Sequence, residues 1–133
     1  MTSKVIYLGG LRTDSTHIQS GTHIVSDAPL DNNGKGEAFS PTDTVANALA
    51  TCMFTIMGIK ARDMGVAIED STADVTKHMQ ASPRMISKIE VVFNMKSDAD
   101  EKSRVILERA GMTCPVFLSL HPDVEKAITF NWE

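Results

Sequence analysis

The longest periodic stretch of the chain, residues 40–65, predicts a single long helix. Val45, Leu49, Cys52, Ile56 and Ile59 recur at steps of four and three, which places them on one helical face. Ala46, Ala50, Met53 and Met57 make a second apolar face beside it. Ser40 is an N-cap residue, Pro41 suits the first helical position, and Asp43 is placed to close a capping box. Gly65 suits the residue just past the end. A helix apolar nearly all round is a buried helix. Asn47, Thr51 and Thr55 interrupt it, which leaves the apolar run too short for a membrane span.

Around this helix the pattern is mostly β. Residues 4–8 read as a short strand ended by Gly9 and Gly10, and residues 11–14 as a turn. Residues 16–19 and 22–26 flank Ser20-Gly21 as a hairpin, and residues 31–36 form a loop. Beyond the helix, residues 66–68 and 73–78 are candidate strands, and Ser82-Pro83 breaks the pattern. Ile89, Val91, Phe93 and Met95 then alternate with Lys88, Glu90, Val92 and Asn94, a strand with one face in the core. Ser97, with Asp100 as box partner, caps a second helix that runs to about Ala110. Thr113-Cys114-Pro115 opens a short third helix over residues 116–120. Residues 127–132 close the chain as a strand, with Ile128, Phe130 and Trp132 on one face. The order predicts an α+β fold, a single domain over residues 1–133, with an antiparallel sheet packed on helices.

Composition narrows the function. A net charge of −4 with mixed signs carries no nucleic-acid footprint. Ala46, Ala48, Ala50 and Gly58 allow another backbone to approach the long helix, so a second subunit is expected to supply part of its cover. The N-terminus lacks the apolar core of a signal peptide. Two cysteines without an export signal point to a reducing, cytoplasmic setting, where such a pair is more often reactive or metal-binding than a structural staple. His17 and His23 flank the hairpin turn and are expected to neighbour each other, without zinc-ligand spacing, while His78 and His121 have no evident partners. Neither metal nor cofactor is expected.

The chemistry then rests on Cys52 and Cys114. Cys52 lies mid-helix on an apolar face, where burial raises a thiol pKa unless a cation stands nearby. Cys114 opens a helix, where N–H groups and the dipole favour thiolate. Local electrostatics alone would make Cys114 the more acidic thiol and Cys52 a packing residue.

A resemblance reverses that order. The segment Gly36-Glu37-Ala38-Phe39-Ser40-Pro41 through Ala48-Leu49-Ala50-Thr51-Cys52 is similar to the signature of the OsmC/Ohr family of osmotically inducible and organic-hydroperoxide-resistance proteins. Met112-Thr113-Cys114-Pro115-Val116 resembles the family's second mark, and residues 7–12 with Thr16-His17 are similar too. The resemblance implies an intertwined homodimer with sheets wrapped around central cysteine helices. It implies a thiol-dependent peroxidase acting on organic hydroperoxides or hydrogen peroxide. Cys52 would be the peroxidatic residue, Cys114 the resolving one, and Arg12 the cation that holds the thiolate. A small thiol or a lipoyl-type dithiol would be the reductant. Met53 and Ile56 would line a pocket for an apolar hydroperoxide tail, the other reading of the Met-rich helix being adaptable core packing.

The sequence departs from the family pattern at Thr42. The hydroperoxide-resistance branch has a Glu there, salt-bridged to the active-site Arg. Asp43 follows one step later, about 100° round the helix. Glu37 is a spare carboxylate near the site, or a loop surface charge. The departure favours the broader OsmC-like group. It leaves open a non-catalytic dimer that binds a small apolar or thiol ligand, with the cysteines structural or redox-sensing.

Overall fold

The computed structural model describes residues 1–133, which divide into two compact units, Met1–Val45 and Ala46–Glu133. In the first, β1 (Ser3–Gly9), β2 (Arg12–His17) and β3 (His23–Asp27) form an antiparallel sheet in the order β1-β2-β3. The turn expected over residues 11–14 is shorter. Gly9, Gly10 and Leu11 all take positive φ and reverse the chain in three residues, so β2 starts at Arg12. Glycine adopts that conformation without steric cost. Register pairs Arg12 with Asp27 and Thr16 with His23. A single 3₁₀ turn, Leu30–Asn32, leads to the start of the long helix.

That helix, α1, spans Pro41–Met64 and ends as its sequence predicts. Ser40 N–H donates to Asp43 Oδ2 at 3.0 Å and Asp43 N–H donates to Ser40 Oγ at 3.0 Å, a reciprocal capping box. Gly65, at φ +69°, donates to Arg62 O, and Val66 N–H reaches back to Ala61 O, a Schellman ending. At 24 residues α1 has the length and composition to cross a membrane, contrary to the expectation of too short an apolar run. A core helix meets the same criteria.

The second unit holds most of α1, then β4 (Thr72–Ala81), β5 (Arg84–Met95), α2 (Glu101–Gly111), α3 (Pro115–Ser119) and β6 (Glu125–Trp132). β5 is the central strand, and Ile89, Val91, Phe93 and Met95 are all fully buried on one face. Phe93 meets Phe54 of α1 edge-on at 4.9 Å and stacks on Phe130 of β6 at 5.0 Å. β6 lies parallel to β5, so this sheet is mixed rather than wholly antiparallel. The crossover through α2 and α3 is long enough to bring the chain back in the same direction.

Several expectations shift. The buried face of α1 is Ala46, Leu49, Ala50, Met53, Met57 and Ala61, while Val45 and Ile59 are exposed. With two apolar faces available, periodicity could not choose, and the small alanines allow the closer packing. Residues 66–68 form no strand, being held between the helix ending and a turn at Asp70, whose φ is +65°. Asp100, not Ser97, caps α2: its Oδ1 accepts from Ser103 N–H at 2.8 Å, while Ser97 Oγ accepts from Ala99 N–H.

Candidate functional site

The second unit brings the two cysteines together. Cys52 sits half-buried in the middle of α1, and Cys114 is fully buried where α3 begins. Gly111, at the end of α2, makes the approach possible. A Cβ there would lie 3.1 Å from Met57 Cγ and 3.5 Å from Met53 Cε, so any larger residue would crowd α1. Cys114 N–H donates to Gly111 O at 3.2 Å. Pro115 takes the first helical position, its fixed φ suited to a helix start. Cys114 is the N-cap, and its Sγ accepts from Phe117 N–H at 3.2 Å.

Cys114 belongs to the buried core cluster, and Cys52 packs against it. Burial pushes the Cys114 thiol above its ordinary value. The Phe117 N–H works the other way, and Cys52 pushes the thiol up further. Desolvation therefore outweighs the helix-start effect that would have made Cys114 the acidic member. The net effect favours the protonated form of Cys114.

The first unit carries a second cluster. Arg12 Nε donates to Asp27 Oδ1 at 3.2 Å and Nη2 to Asp27 Oδ2 at 2.9 Å, a bidentate pair between register partners of β2 and β3. Nη2 also donates to Glu37 Oε2 at 3.1 Å. Asp27 is 1% exposed and accepts a further bond from Glu37 N–H at 3.1 Å. Arg12, through hydrogen bonding above all, holds the Asp27 carboxyl below its usual range. The same bonds, Asp27's before Glu37's, raise the guanidinium pKa and keep it charged.

Of the residues singled out in the sequence, Cys52 and Cys114 meet in one unit, and Arg12 and Glu37 meet in the other. Met53 is fully buried within the core cluster, and Ile56 is half-buried against it. The sequence reading missed Asp27. Its signal was register: once β2 is extended to Arg12, Asp27 falls opposite it. The histidines have other partners than expected. His17 bonds Ser20 Oγ, His23 bonds Asp14 Oδ1 at 3.0 Å, and pairing of His23 with Thr16 sets the two rings on opposite faces. His78 Nε2 lies 2.9 Å from Glu90 Oε1, across β4 and β5. His121 Nδ1 accepts from Asp123 N–H at 3.0 Å.

Residues 34–128 match the family model of OsmC-like proteins. The chain is similar in sequence and structure to a Psychrobacter arcticus protein provisionally named an osmotic stress induced and detoxification response protein. Identity is 49%, covering 98% of this chain and 96% of that one, with a TM-score of 0.95. The fold is also similar to an OsmC-like protein from Mycoplasma pneumoniae (14% identity, 98% and 94% covered, TM-score 0.81). A third similar fold is the organic hydroperoxide resistance protein OhrB of Bacillus subtilis (19% identity, 98% of each chain, TM-score 0.65). No functionally curated protein matches significantly.

Proposed function

The chain belongs to the family of OsmC-like proteins, and from that premise we propose that it is a thiol-dependent peroxidase for organic hydroperoxides. The observation that carries the reading is that two free cysteines, Cys52 of α1 and Cys114 at the start of α3, share one core cluster and influence each other electrostatically.

In the proposed cycle, the Cys52 thiolate attacks the terminal oxygen of ROOH. The O–O bond breaks, the RO⁻ fragment takes a proton and leaves as ROH, and Cys52 becomes a sulfenic acid. The Cys114 sulfur then attacks the Cys52 sulfur, a disulfide forms, and the sulfenic oxygen leaves as water. An external small thiol or lipoyl-type dithiol returns both residues to thiols by exchange. In this cycle Cys114 gives up its proton at the resolving step. Arg12 is the cation assigned to the thiolate and the peroxide, and hydrogen peroxide is a lesser substrate.

The working form is proposed to be a homodimer in the cytoplasm. Support comes from apolar residues the single chain leaves exposed: Val5, Ile6, Tyr7 and Leu8 on β1, and Val45 and Ile59 on α1.

Thiol-coupled consumption of cumene hydroperoxide by wild type, Cys52→Ser and Cys114→Ser tests the chemistry. Cys52→Ser is expected to abolish turnover. Cys114→Ser is expected to form the sulfenic acid once and then stall with a dithiol reductant. Equal rates for all three proteins would exclude peroxidase chemistry and favour a ligand-binding dimer.

A further inference from the structure

We propose that Gly111 is a positioning residue for the disulfide step: lacking a side chain, it lets the end of α2 rest on α1 closely enough for Cys114 to reach an oxidised Cys52. The proposal deepens the two-cysteine reading and rests on it. Glycine is less favourable than alanine within a helix, so a helical glycine needs a reason. Gly111 is the last residue of α2 and does not take a positive φ. Left-handed backbone, which accounts for Gly9, Gly10 and Gly65, therefore does not account for it. Space does. A Cβ would lie 3.1 Å from Met57 Cγ, 3.3 Å from Met57 Sδ and 3.5 Å from Met53 Cε. At Gly58, in α1, the same added atom would meet nothing within 4 Å. Met53 and Met57 are fully buried in the core cluster, so neither can swing into solvent to make room. A methyl at position 111 pushes α2 away from α1.

The contact bears on sulfur because each side of it is tied to a cysteine. Met53 follows Cys52 directly on α1, and Met57 belongs to the same helix. Gly111 is joined to Cys114 by a link hydrogen-bonded at every residue. Met112 N–H donates to Glu108 O at 3.2 Å, Thr113 N–H to Ala110 O at 3.0 Å and Cys114 N–H to Gly111 O at 3.2 Å. Thr113 Oγ1 adds a bond to Ala110 O at 2.7 Å. Phe117 N–H then holds Cys114 Sγ at 3.2 Å. A shift of α2 at Gly111 is therefore passed on to the Cys114 sulfur, while Cys52 stays with α1. In the disulfide step the Cys114 S–H and Cys52 S–O bonds break, the S–S bond forms and water leaves. That step depends on where Cys114 stands. The earlier attack of Cys52 on peroxide does not.

The test uses full-length wild type, G111A, M57A and G111A/M57A. Dimedone capture reads the Cys52 sulfenic acid formed with cumene hydroperoxide. Free thiols counted by mass after an iodoacetamide quench read disulfide closure, and circular dichroism reads folding. G111A is expected to close the disulfide about tenfold more slowly, a smaller loss than the roughly 10²-fold of a misplacement of about 1 Å. Sulfenic acid formation should not change. M57A removes both Met57 atoms that the added methyl would meet, so G111A should cost nothing further on that background, a coupling that independent sites do not show. A folded G111A that closes at the wild-type rate, or that loses both steps together, would overturn the assignment. So would the same slowing by G111A with and without Met57. Should G111A not fold, a G111A/M57A protein slower than M57A would overturn it instead. Diamide, which takes both thiol protons and two electrons, closes the disulfide without peroxide. A wild type that closes with diamide but forms no sulfenic acid with the hydroperoxide loses the peroxidase reading, and the four proteins compared under diamide then decide the role of Gly111. A wild type that forms no disulfide with diamide overturns the positioning role.

Discussion

Cys114 has no surface exposure, and burial together with Cys52 holds its thiol above the ordinary range. Cys52 is half-exposed. Brief treatment with iodoacetamide at neutral pH should therefore modify Cys52 first, because alkylation needs an accessible thiolate. Peptide mass mapping reads the order, and preferential labelling of Cys114 would contradict it. Asp27 makes a second prediction at this scale. Its folded pKa lies below the unfolded value of about 3.9. The Arg12 pair thus stabilises the fold above about pH 4, and the contribution is lost as pH falls through Asp27's own lower value. The stability gap between wild type and D27N should shrink across that acidic window, measured by denaturant titration. Parallel pH curves would show that the pair adds nothing. Of these residues, the two cysteines stand out in the chain, and Arg12 enters only through the family resemblance. Asp27 does not stand out, because β2, the strand it pairs with, carries no apolar alternation to mark its start.

At the scale of elements, α1 depends on its first turn. Ser40 is 1% exposed, and its Oγ and N–H both serve the capping box. Ser40→Ala should cost about 0.5–2 kcal/mol, seen as a lower denaturation midpoint with an unchanged slope. No loss would mean that packing alone holds the helix start. The strands divide by how they are buried. β5 announces itself, since alternation places Ile89, Val91, Phe93 and Met95 on one buried face. β2 reads Arg-Thr-Asp-Ser-Thr-His, without apolar alternation, so no local signal marks its start. α2 begins at Asp100 rather than Ser97, because both residues cap well and the choice falls to where the chain leaves β5.

For the molecule as a whole, the exposed apolar residues of β1 and α1 predict self-association. Light scattering should give twice the 14.5 kDa chain mass at micromolar concentration. A stable monomer would contradict the dimer. A charged residue placed at Ile6 or Val45, both now exposed in the single chain, should weaken the dimer without unfolding the protomer.

Short-range chemistry was enough to define α1, its cap, its Gly65 ending and the inward face of β5. Each of these depends on hydrogen bonds or periodicity within a few residues. Tertiary structure decided which apolar face of α1 is buried, that β6 runs parallel to β5, that Cys114 is buried in the cluster against which Cys52 packs, and that Asp27 pairs with Arg12. Those outcomes join positions 15 to 62 residues apart, counting from 12 to 27 and from 52 to 114. They follow from competition among packings of the whole chain, where desolvation and strand register outweigh what any segment prefers alone.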